Sequence, residues 1–255
     1  MRILLYQVDA FASEVFRGNP AAVCPLESWL PDATLQAIAA ENNLPETAFF
    51  VREGDAFRLR WFTPTVEVEL CGHATLASGF VLLKESGTVT FATRSGPLSV
   101  RREGDLLTLD LPSLPAAPMA PPPALVKGLA VAPRETLRAM NWLAVLDDEA
   151  AVRATKPDFA TLAMLHPHGV IVTAPGDAVD FVSRFFGPSF GIPEDPVTGS
   201  AHATLTPYWA ARLGKKKLSA RQLSARGGEL ACEDLGARVA LTGRCALYLE
   251  GEIRV

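Results

Sequence analysis

The sequence predicts an α+β protein of two similar domains, each built from a β-sheet that curls around one central α-helix. Three observations predict this class. A proline-rich segment divides the 255-residue chain near its middle. The same order of strand, glycine turn, apolar helix and further strands occurs on both sides of that segment. Each central helix is apolar on nearly every face, so only surrounding protein can cover it.

Length and composition agree with two soluble domains. Apolar residues make up 49% of the chain and charged residues 20%, which is typical of globular proteins. The formal net charge of −4 gives no basic field for nucleic acid or an anionic membrane. The uncharged stretch Leu70–Leu83 falls short of the roughly 20 apolar residues that a membrane span needs.

The start of the chain and its cysteines predict the compartment. The first residues reach Gln7 and Asp9 too soon to form the apolar core of a signal peptide. The cysteines form no CxxC pair, and in a chain of this size they are typical of reduced thiols. The chain contains four of them: Cys24, Cys71, Cys232 and Cys245. We therefore expect a cytoplasmic protein.

The proline-rich segment predicts the domain boundary. Six prolines stand between Pro112 and Pro123, and such a segment holds neither a helix nor a ladder of strand hydrogen bonds. We expect an N-terminal domain of residues 1–115 and a C-terminal domain of residues 116–255. This division allows the last strand of the chain to pair with the sheet of the N-terminal domain.

In the first half, the alternating pattern of Val66–Leu70 predicts a strand that leads into the turn at Gly72. An apolar helix follows from Gly72 to Lys84, and Gly87 ends it. Leu98–Leu109 predicts a hairpin.

In the second half, Ile192–Val197 leads into a turn at Gly199 and a second apolar helix that ends at Gly214. Pro207 inside that helix predicts a kink or a late start. A His-Ala-Thr-Leu sequence occurs in both helices, but it is offset by two residues from the shared glycines. The residue-by-residue alignment of the halves stays open, and chance similarity is the alternative to duplication.

The two glycine turns are candidate anion sites. The N–H groups at a helix start have no partners within the helix, and the helix dipole adds to their attraction for an anion. Two such starts, at Gly72 and at Gly199 and Ser200, would together hold a carboxylate or a developing enolate if they faced each other. A purely structural strand-to-helix turn is the alternative for each.

Glu46 is the first candidate for an acid or base. Pro45 stiffens the backbone before it, and neighbouring apolar residues such as Phe49 offer a wall that would desolvate its carboxylate and strengthen it as a base. A solvated loop glutamate is the alternative.

Three more residues near the glycine turns are candidates. Asp195 would hold a substrate amine or hydroxyl or relay a proton, unless it caps the helix. Cys71 stands at a helix start, where a thiol becomes more acidic, unless it is a small buried hydrophobe. His73 would donate to a substrate carbonyl, unless it is a satisfied core histidine.

No cofactor or metal site is visible in the sequence. His166 and His168 form the one histidine cluster, and no cysteine or carboxylate stands at ligand spacing from it. Neither GxGxxG after a strand nor GxxxxGK[ST] occurs. We expect a site without metal or cofactor.

At these residues the sequence resembles the PhzF family of phenazine biosynthesis, which has the diaminopimelate-epimerase-like fold. The matching blocks follow one another along nearly the whole chain: Val8–Phe11, Phe16–Val23, Asn43–Phe49, Phe62–Pro64, Cys71–Thr75 and Glu194–His202. The resemblance implies two domains, each a curved mixed sheet around a central helix, with the site in the cleft between them. It also implies a homodimer.

The resemblance further implies a reaction and roles for residues. The family's characterised activity is isomerisation of trans-2,3-dihydro-3-hydroxyanthranilate without cofactor or metal. Matched by motif, Glu46 is the base that moves a proton between carbons, and His73 and Asp195 hold the substrate and its proton network. The N–H groups of the two glycine turns would hold a carboxylate; they belong to Gly72, His73, Gly199 and Ser200.

Two alternatives remain beside a cofactor-independent isomerase of a small carboxylated substrate. Amino-acid epimerases of the same fold use two thiols, and Cys71 occupies the first thiol position. Thr198 stands at the second, and a threonine hydroxyl is a poor base, so a single base is favoured. The other alternative is a metabolite-binding protein without catalysis.

Overall fold

The computed structural model describes residues 1–54 and 56–255. The chain divides into two compact units: the first comprises Met1–Leu111 with Ala240–Val255, and the second Pro112–Val239. Both contain strands and helices, as the α+β class requires. The domain boundary predicted after residue 115 remains a prediction about folding units.

The first unit is a mixed sheet with two helices. Its elements are β1 (Arg2–Ala10), β2 (Asn19–Leu26), α1 (Asp32–Asn42), β3 (Glu46–Glu53), β4 (Ala56–Phe62), β5 (Glu67–Val68), α2 (Gly72–Leu82), β6 (Gly87–Thr93), β7 (Gly96–Glu103) and β8 (Leu106–Pro112). The last strand of the chain, Cys245–Arg254, pairs antiparallel with β1. The sheet continues from β1 antiparallel to β2, parallel to β3, antiparallel to β4, parallel to β6 and antiparallel to β7 and β8.

Helix α2 is the central helix of this unit. Every residue from Gly72 to Gly79 is buried, and the helix packs against β1, β2, β3 and β7. Glycine is needed at position 79, because a Cβ there would lie 2.4 Å from a methyl carbon of Val100. The prediction that an all-apolar helix is enclosed by the sheet is confirmed.

The second unit repeats this plan. Its elements are β9 (Ala117–Pro118), α3 (Pro123–Leu129), β10 (Glu135–Arg138), β11 (Trp142–Val145), α4 (Glu149–Ala154), α5 (Phe159–Ala163), β12 (Val170–Pro175), β13 (Phe181–Gly187), a 3₁₀ turn (Pro188–Phe190), β14 (Ile192–Asp195), α6 (Gly199–Leu213), β15 (Lys217–Gln222), β16 (Gly228–Asp234) and β17 (Arg238–Gly243). Only Arg238 and Val239 of β17 belong to this unit; the rest of the strand belongs to the first unit, as does the strand that follows it, β18 (Cys245–Arg254).

The strand pairing of the second unit matches that of the first, step by step. From β9 the sheet runs antiparallel to β10 and β11, parallel to β12, antiparallel to β13, parallel to β15 and antiparallel to β16. In both units a short strand pairs with the fourth long one, and the central helix follows it. This equivalence aligns Gly72 with Gly199, so the shared glycines and not the His-Ala-Thr-Leu sequences are the matching positions.

Two details of the predicted elements differ. The strand expected over Val66–Leu70 is reduced to Glu67–Val68, since its side chains do not alternate between buried and exposed. Helix α6 has no late start: it begins at Gly199 with Pro207 inside it. Pro207 has no N–H for the carbonyl of Ala203, and the N–H of Leu114 donates to that carbonyl instead, at 3.0 Å.

Across the parts of the chain that the structure describes, no helix is both long enough and apolar enough to cross a bilayer.

Candidate functional site

The first half-site comprises Asn19, Glu46, Cys71, Gly72 and His73 in the first unit. Because β2 and β3 are parallel, their first residues, Asn19 and Glu46, lie at the same end of the sheet. Helix α2 begins at the same place, with Cys71 as its N-cap and His73 as its second residue. The structure therefore brings four of the predicted site residues together and adds Asn19 to them.

His73 is in contact with the other polar side chains of this half-site. Its Nε2 lies 3.2 Å from Oε2 of Glu46. Its Nδ1 lies 3.1 Å from the amide nitrogen of Asn19 and 3.5 Å from the sulfur of Cys71. The side chains are nearly enclosed, since His73 is 4% exposed and Glu46 is 9% exposed.

Burial determines the charge of His73. Desolvation lowers the pKa of this imidazole to about 3, so the ring is neutral at physiological pH. With the Asn19 amide donating to Nδ1, the single ring proton resides on Nε2 and faces Glu46. His73 is therefore a neutral donor beside a carboxylate.

The start of α2 has the character expected of an anion site. No side chain caps it, and its first intrahelical acceptor, the carbonyl of Cys71, receives the N–H of Thr75. The N–H groups of Gly72 and His73 therefore have no acceptor within the helix. An anion placed there would gain these hydrogen bonds together with the helix dipole.

The second half-site comprises Asp195, Thr198, Gly199, Ser200 and Gln222 in the second unit. Asp195 is buried at the end of β14, and its carboxylate accepts the hydroxyl proton of Thr198. Thr198 is the N-cap residue of α6 without a side-chain cap bond, and Gly199 and Ser200 are the first helical residues. Asp195 thus lies beside the helix start but does not cap it.

Gln222 fixes this half-site and was not predicted from the sequence. Its amide nitrogen donates to the carbonyl of Asp195 at 2.7 Å and to the hydroxyl of Thr198 at 3.1 Å. Its amide oxygen accepts the N–H of Thr198 at 2.9 Å. One signal was present: Gln222 occupies a buried position in the alternating pattern of β15, where Leu218 and Ala220 are the other buried residues.

His202 supports the same helix start from inside the unit. It is fully buried, and its Nδ1 donates to the carbonyl of Thr198 at 2.8 Å. Desolvation lowers the pKa of His202 to about 4, while this hydrogen bond acts in the opposite direction. Its Nε2 has no hydrogen-bond partner among the described residues, and its ring packs 5.9 Å from that of Phe181.

The equivalent positions of the two units carry different chemistry. Topology aligns Cys71 with Thr198 and His73 with Ser200 around the paired glycines. The hydroxyl of Thr198 donates to Asp195 and accepts from Gln222, which leaves it no basic character. Proton abstraction is available to a carboxylate or thiol of the first half-site, and Asp195 supplies a second carboxylate.

Among the residues that the structure describes, one set of side chains has the ligand types of a metal site. Single ligand atoms of Glu46, Cys71 and His73 lie within 4.8 Å of one another. The sequence had indicated no metal site, because its one histidine cluster, His166 and His168, has no cysteine or carboxylate at ligand spacing.

Comparisons with known proteins agree with this architecture. A family model described as phenazine biosynthesis-like protein (PhzC-PhzF) matches residues 8–251. A Pseudomonas aeruginosa protein named uncharacterized isomerase is 55% identical over 260 residues, which cover 100% of both chains. The crystal structure of a phenazine biosynthesis PhzF-family protein of Enterococcus faecalis has a TM-score of 0.95 and 49% identity, over 100% of both chains.

The fold extends to more distant proteins. A hydroxyproline epimerase of Agrobacterium vitis, solved with bound trans-4-hydroxy-L-proline, has a TM-score of 0.62 at 12% identity, over 99% of this chain and 92% of that one. This likeness concerns the fold alone. The predicted family resemblance and the predicted epimerase-like fold class are confirmed.

Proposed function

This chain belongs to the family of phenazine biosynthesis-like proteins, and from that membership we propose that it is an isomerase that moves a proton between two carbons of a small carboxylated substrate. The reaction needs no cofactor in this proposal. The relative named as an isomerase supports the reaction class. The reaction of the family resemblance, isomerisation of trans-2,3-dihydro-3-hydroxyanthranilate, is the first one to test.

The observation that carries the proposal is the contact between Glu46 and His73. A proton bound to carbon is only weakly acidic. Its removal requires a base in a site that excludes water, and hydrogen-bond donors for the anion that forms. Glu46 is a nearly enclosed carboxylate, and the neutral His73 places an N–H 3.2 Å from it. A charged imidazolium would pair with the carboxylate and weaken it as a base, whereas a neutral ring does not.

The proton path follows from these groups. The Glu46 carboxylate takes a proton from one substrate carbon, and the electron pair left behind is delocalised toward the substrate's unsaturated system. Glu46–H then returns the proton to another carbon, which shifts the double bonds. The neutral His73 leaves the carboxylate its negative charge, and the Nε2–H of its ring donates to the substrate once the substrate enters.

The helix starts supply the anion binding in this proposal. The N–H groups of Gly72 and His73 would hold a carboxylate of the substrate. We further propose that Asp195 binds a substrate hydroxyl or amine and that the N–H groups of Gly199 and Ser200 bind a carboxylate. The hydrogen bonds from Gln222 and Thr198, which fix the backbone and carboxylate of Asp195, support a positioning role.

An epimerase that uses Cys71 is the second candidate function. The sulfur of Cys71 lies 3.5 Å from His73, so a thiolate there would have a hydrogen-bonding neighbour. The position equivalent to Cys71 is Thr198, whose hydroxyl is engaged with Asp195. A two-thiol mechanism therefore lacks its second base, and we favour the single carboxylate.

The test is deuterium exchange in heavy water, followed by NMR. The wild-type protein is incubated with a panel of small carboxylates that includes trans-2,3-dihydro-3-hydroxyanthranilate. Removing a general base lowers rates by about 10²- to 10⁴-fold, so Glu46→Gln should lose exchange and product formation to that extent. Glu41→Gln, at an exposed position of α1, is the matched control and should keep the wild-type rate.

Each outcome decides between the candidates. A Glu46→Gln variant that exchanges as fast as wild type would exclude Glu46 as the base. Loss of turnover in Cys71→Ser with retention in Glu46→Gln would favour the epimerase. Ligand binding that survives Glu46→Gln, with no exchange in the wild type, would favour a metabolite-binding protein.

A further inference from the structure

We propose that Glu46, Cys71 and His73 form a binding site for Zn²⁺ or a similar divalent cation, and that an occupied site has no free proton acceptor in the first half-site. Cation binding depends only on the geometry of these three side chains, whereas the inhibitory consequence rests on the function proposed above. A cation site here departs from the expectation, drawn from residue spacing, that the chain has no metal site.

The ligand types favour zinc over harder cations. A thiolate, an imidazole nitrogen and a carboxylate oxygen are the three ligands that Zn²⁺ prefers, and thiolate ligation is disfavoured for Mg²⁺ and Ca²⁺. Three protein ligands also leave a fourth tetrahedral position for water or a substrate carboxylate. A sequence search misses this set because Glu46 lies 25 residues before Cys71, at the start of β3, whereas Cys71 is the N-cap of α2.

The distances are those of a nearly assembled site. Zinc bonds of about 2.0–2.3 Å in tetrahedral geometry place ligand atoms about 3.3–3.8 Å apart. Nε2 of His73 lies 3.2 Å from Oε2 of Glu46, and Nδ1 lies 3.5 Å from the sulfur of Cys71. Each ring nitrogen thus has one other candidate ligand atom near the separation that zinc requires. All three ligand atoms lie within 4.8 Å of one another, so separations above about 3.8 Å have to shorten by up to about 1 Å as the site closes on the cation.

The surroundings hold these ligands in place. Cys71 and His73 are fixed by the first turn of α2, and Glu46 is fixed by the first residues of β3. Nε2 of His73 accepts and donates no hydrogen bond among the described residues despite its closeness to Glu46. When Nε2 binds the cation, Nδ1 carries the ring proton, and the Asn19 side chain, whose amide nitrogen lies 3.1 Å from Nδ1, accepts that proton through its oxygen after the amide rotates.

Binding changes the chemistry of the half-site in a balanced way. The S–H bond of Cys71 breaks as the S–Zn bond forms, and the thiol proton passes to the buffer. The ring proton of His73 moves from Nε2 to Nδ1, which frees the Nε2 lone pair for the cation. The Glu46 oxygen donates its lone pair to the cation and is no longer available to a substrate proton. No electron is transferred, so removal of the metal by a chelator restores the original state.

Cobalt substitution tests the site without any assay of turnover. Co²⁺ added to the purified protein should give a thiolate-to-cobalt charge-transfer band and the intense visible bands of tetrahedral Co²⁺, and Zn²⁺ should displace both. Zn²⁺ affinity is then measured by competition with a chromophoric chelator. Cys71→Ser should abolish the charge-transfer band and weaken Zn²⁺ binding at least about tenfold. Loss of an outer-sphere partner alone lowers metal affinity by about 10- to 100-fold, and loss of a direct ligand should cost no less.

Matched variants make the result specific. Serine is a favourable N-cap residue, so Cys71→Ser should stay folded, as circular dichroism will check. Cys245→Ser, which changes another thiol of the first unit, should keep the band. Glu46→Gln should weaken Zn²⁺ binding while the thiolate band persists. Absence of binding by folded wild type, a band that persists in Cys71→Ser, or unchanged affinity in Glu46→Gln would each overturn the three-ligand site.

The inhibitory consequence has a separate readout. If the exchange assay shows Glu46-dependent activity, Zn²⁺ should suppress it in wild type and a chelator should restore it. Binding without exchange activity would leave the metal site intact and remove the proposed function. Activity that zinc-loaded protein retains would overturn the inhibitory consequence alone.

Discussion

The buried His202 should make the second unit sensitive to mild acid. Its pKa is lowered to about 4 in the folded chain by desolvation, against an ordinary value of 6.5. Between these two values the unfolded chain binds a proton that the folded chain does not. Its contribution to stability is therefore complete above pH 6.5, declines as the pH falls and is lost once the pH reaches about 4.

The size of this effect follows from the same values. Each unit of pH inside the window costs about 1.4 kcal/mol, so lowering the pH from 7.5 to 5 should remove about 2 kcal/mol through His202. His73, with its pKa lowered to about 3, acts with the same sign in the first unit and adds about 2 kcal/mol. His202→Asn should therefore remove about half of the histidine contribution.

Asparagine is the informative substitution. Its amide nitrogen can still donate to the carbonyl of Thr198 without a group that titrates in this range. Its smaller volume destabilises the folded state equally at both pH values, and this loss cancels in the comparison. Urea unfolding at pH 7.5 and 5.0 is followed by far-UV circular dichroism and by tryptophan fluorescence, to which Trp209, stacked on Phe181, contributes.

The control is His166→Asn, at an exposed position, which should keep the wild-type pH dependence. The reasoning is refuted if His202→Asn loses as much free energy of unfolding between the two pH values as wild type does. Such a result would mean that the imidazole is hydrated or charged inside the fold.

Three further outcomes are expected. Gln222→Leu removes the buried hydrogen bonds to the N–H of Thr198 and the carbonyl of Asp195, so chemical denaturation should show a loss of at least about 2 kcal/mol. A loss below about 0.5 kcal/mol, the level of a neutral surface change, would contradict the assigned hydrogen bonds. Gly18 has φ +63°, and Gly18→Ala would place a methyl carbon 2.2 Å from the carbonyl oxygen of Ala10, so we expect the melting temperature to fall by several degrees. An unchanged melting temperature would show that the loop adjusts freely. Leu247, Tyr248 and Leu249 of β18 are exposed apolar side chains of the kind that a partner copy covers, so Tyr248→Glu should dissociate the predicted homodimer in sedimentation experiments. A monomeric wild type would remove the dimer prediction.

Local patterns in the sequence determined much of this protein. The central helices, the glycine turns and the hairpin of β7 and β8 depend on residues within a few positions of one another, and periodicity reports such structure directly. The repeated order of these signals predicted two similar units, and identical strand pairing confirms it. Glu46 became the predicted base because its family motif is contiguous.

Only the tertiary structure decided which residues complete the two half-sites. Asn19 reaches His73 across 54 positions of sequence, and Gln222 reaches Thr198 across 24. No periodicity encodes such partners, because they depend on which strands become neighbours in the sheet. The pairing also settled that the glycines align and that Cys71 corresponds to Thr198, a threonine whose hydroxyl is held by Asp195. The neutral state of His73 has the same origin, since desolvation is a property of the whole enclosure and not of the residues beside it in sequence.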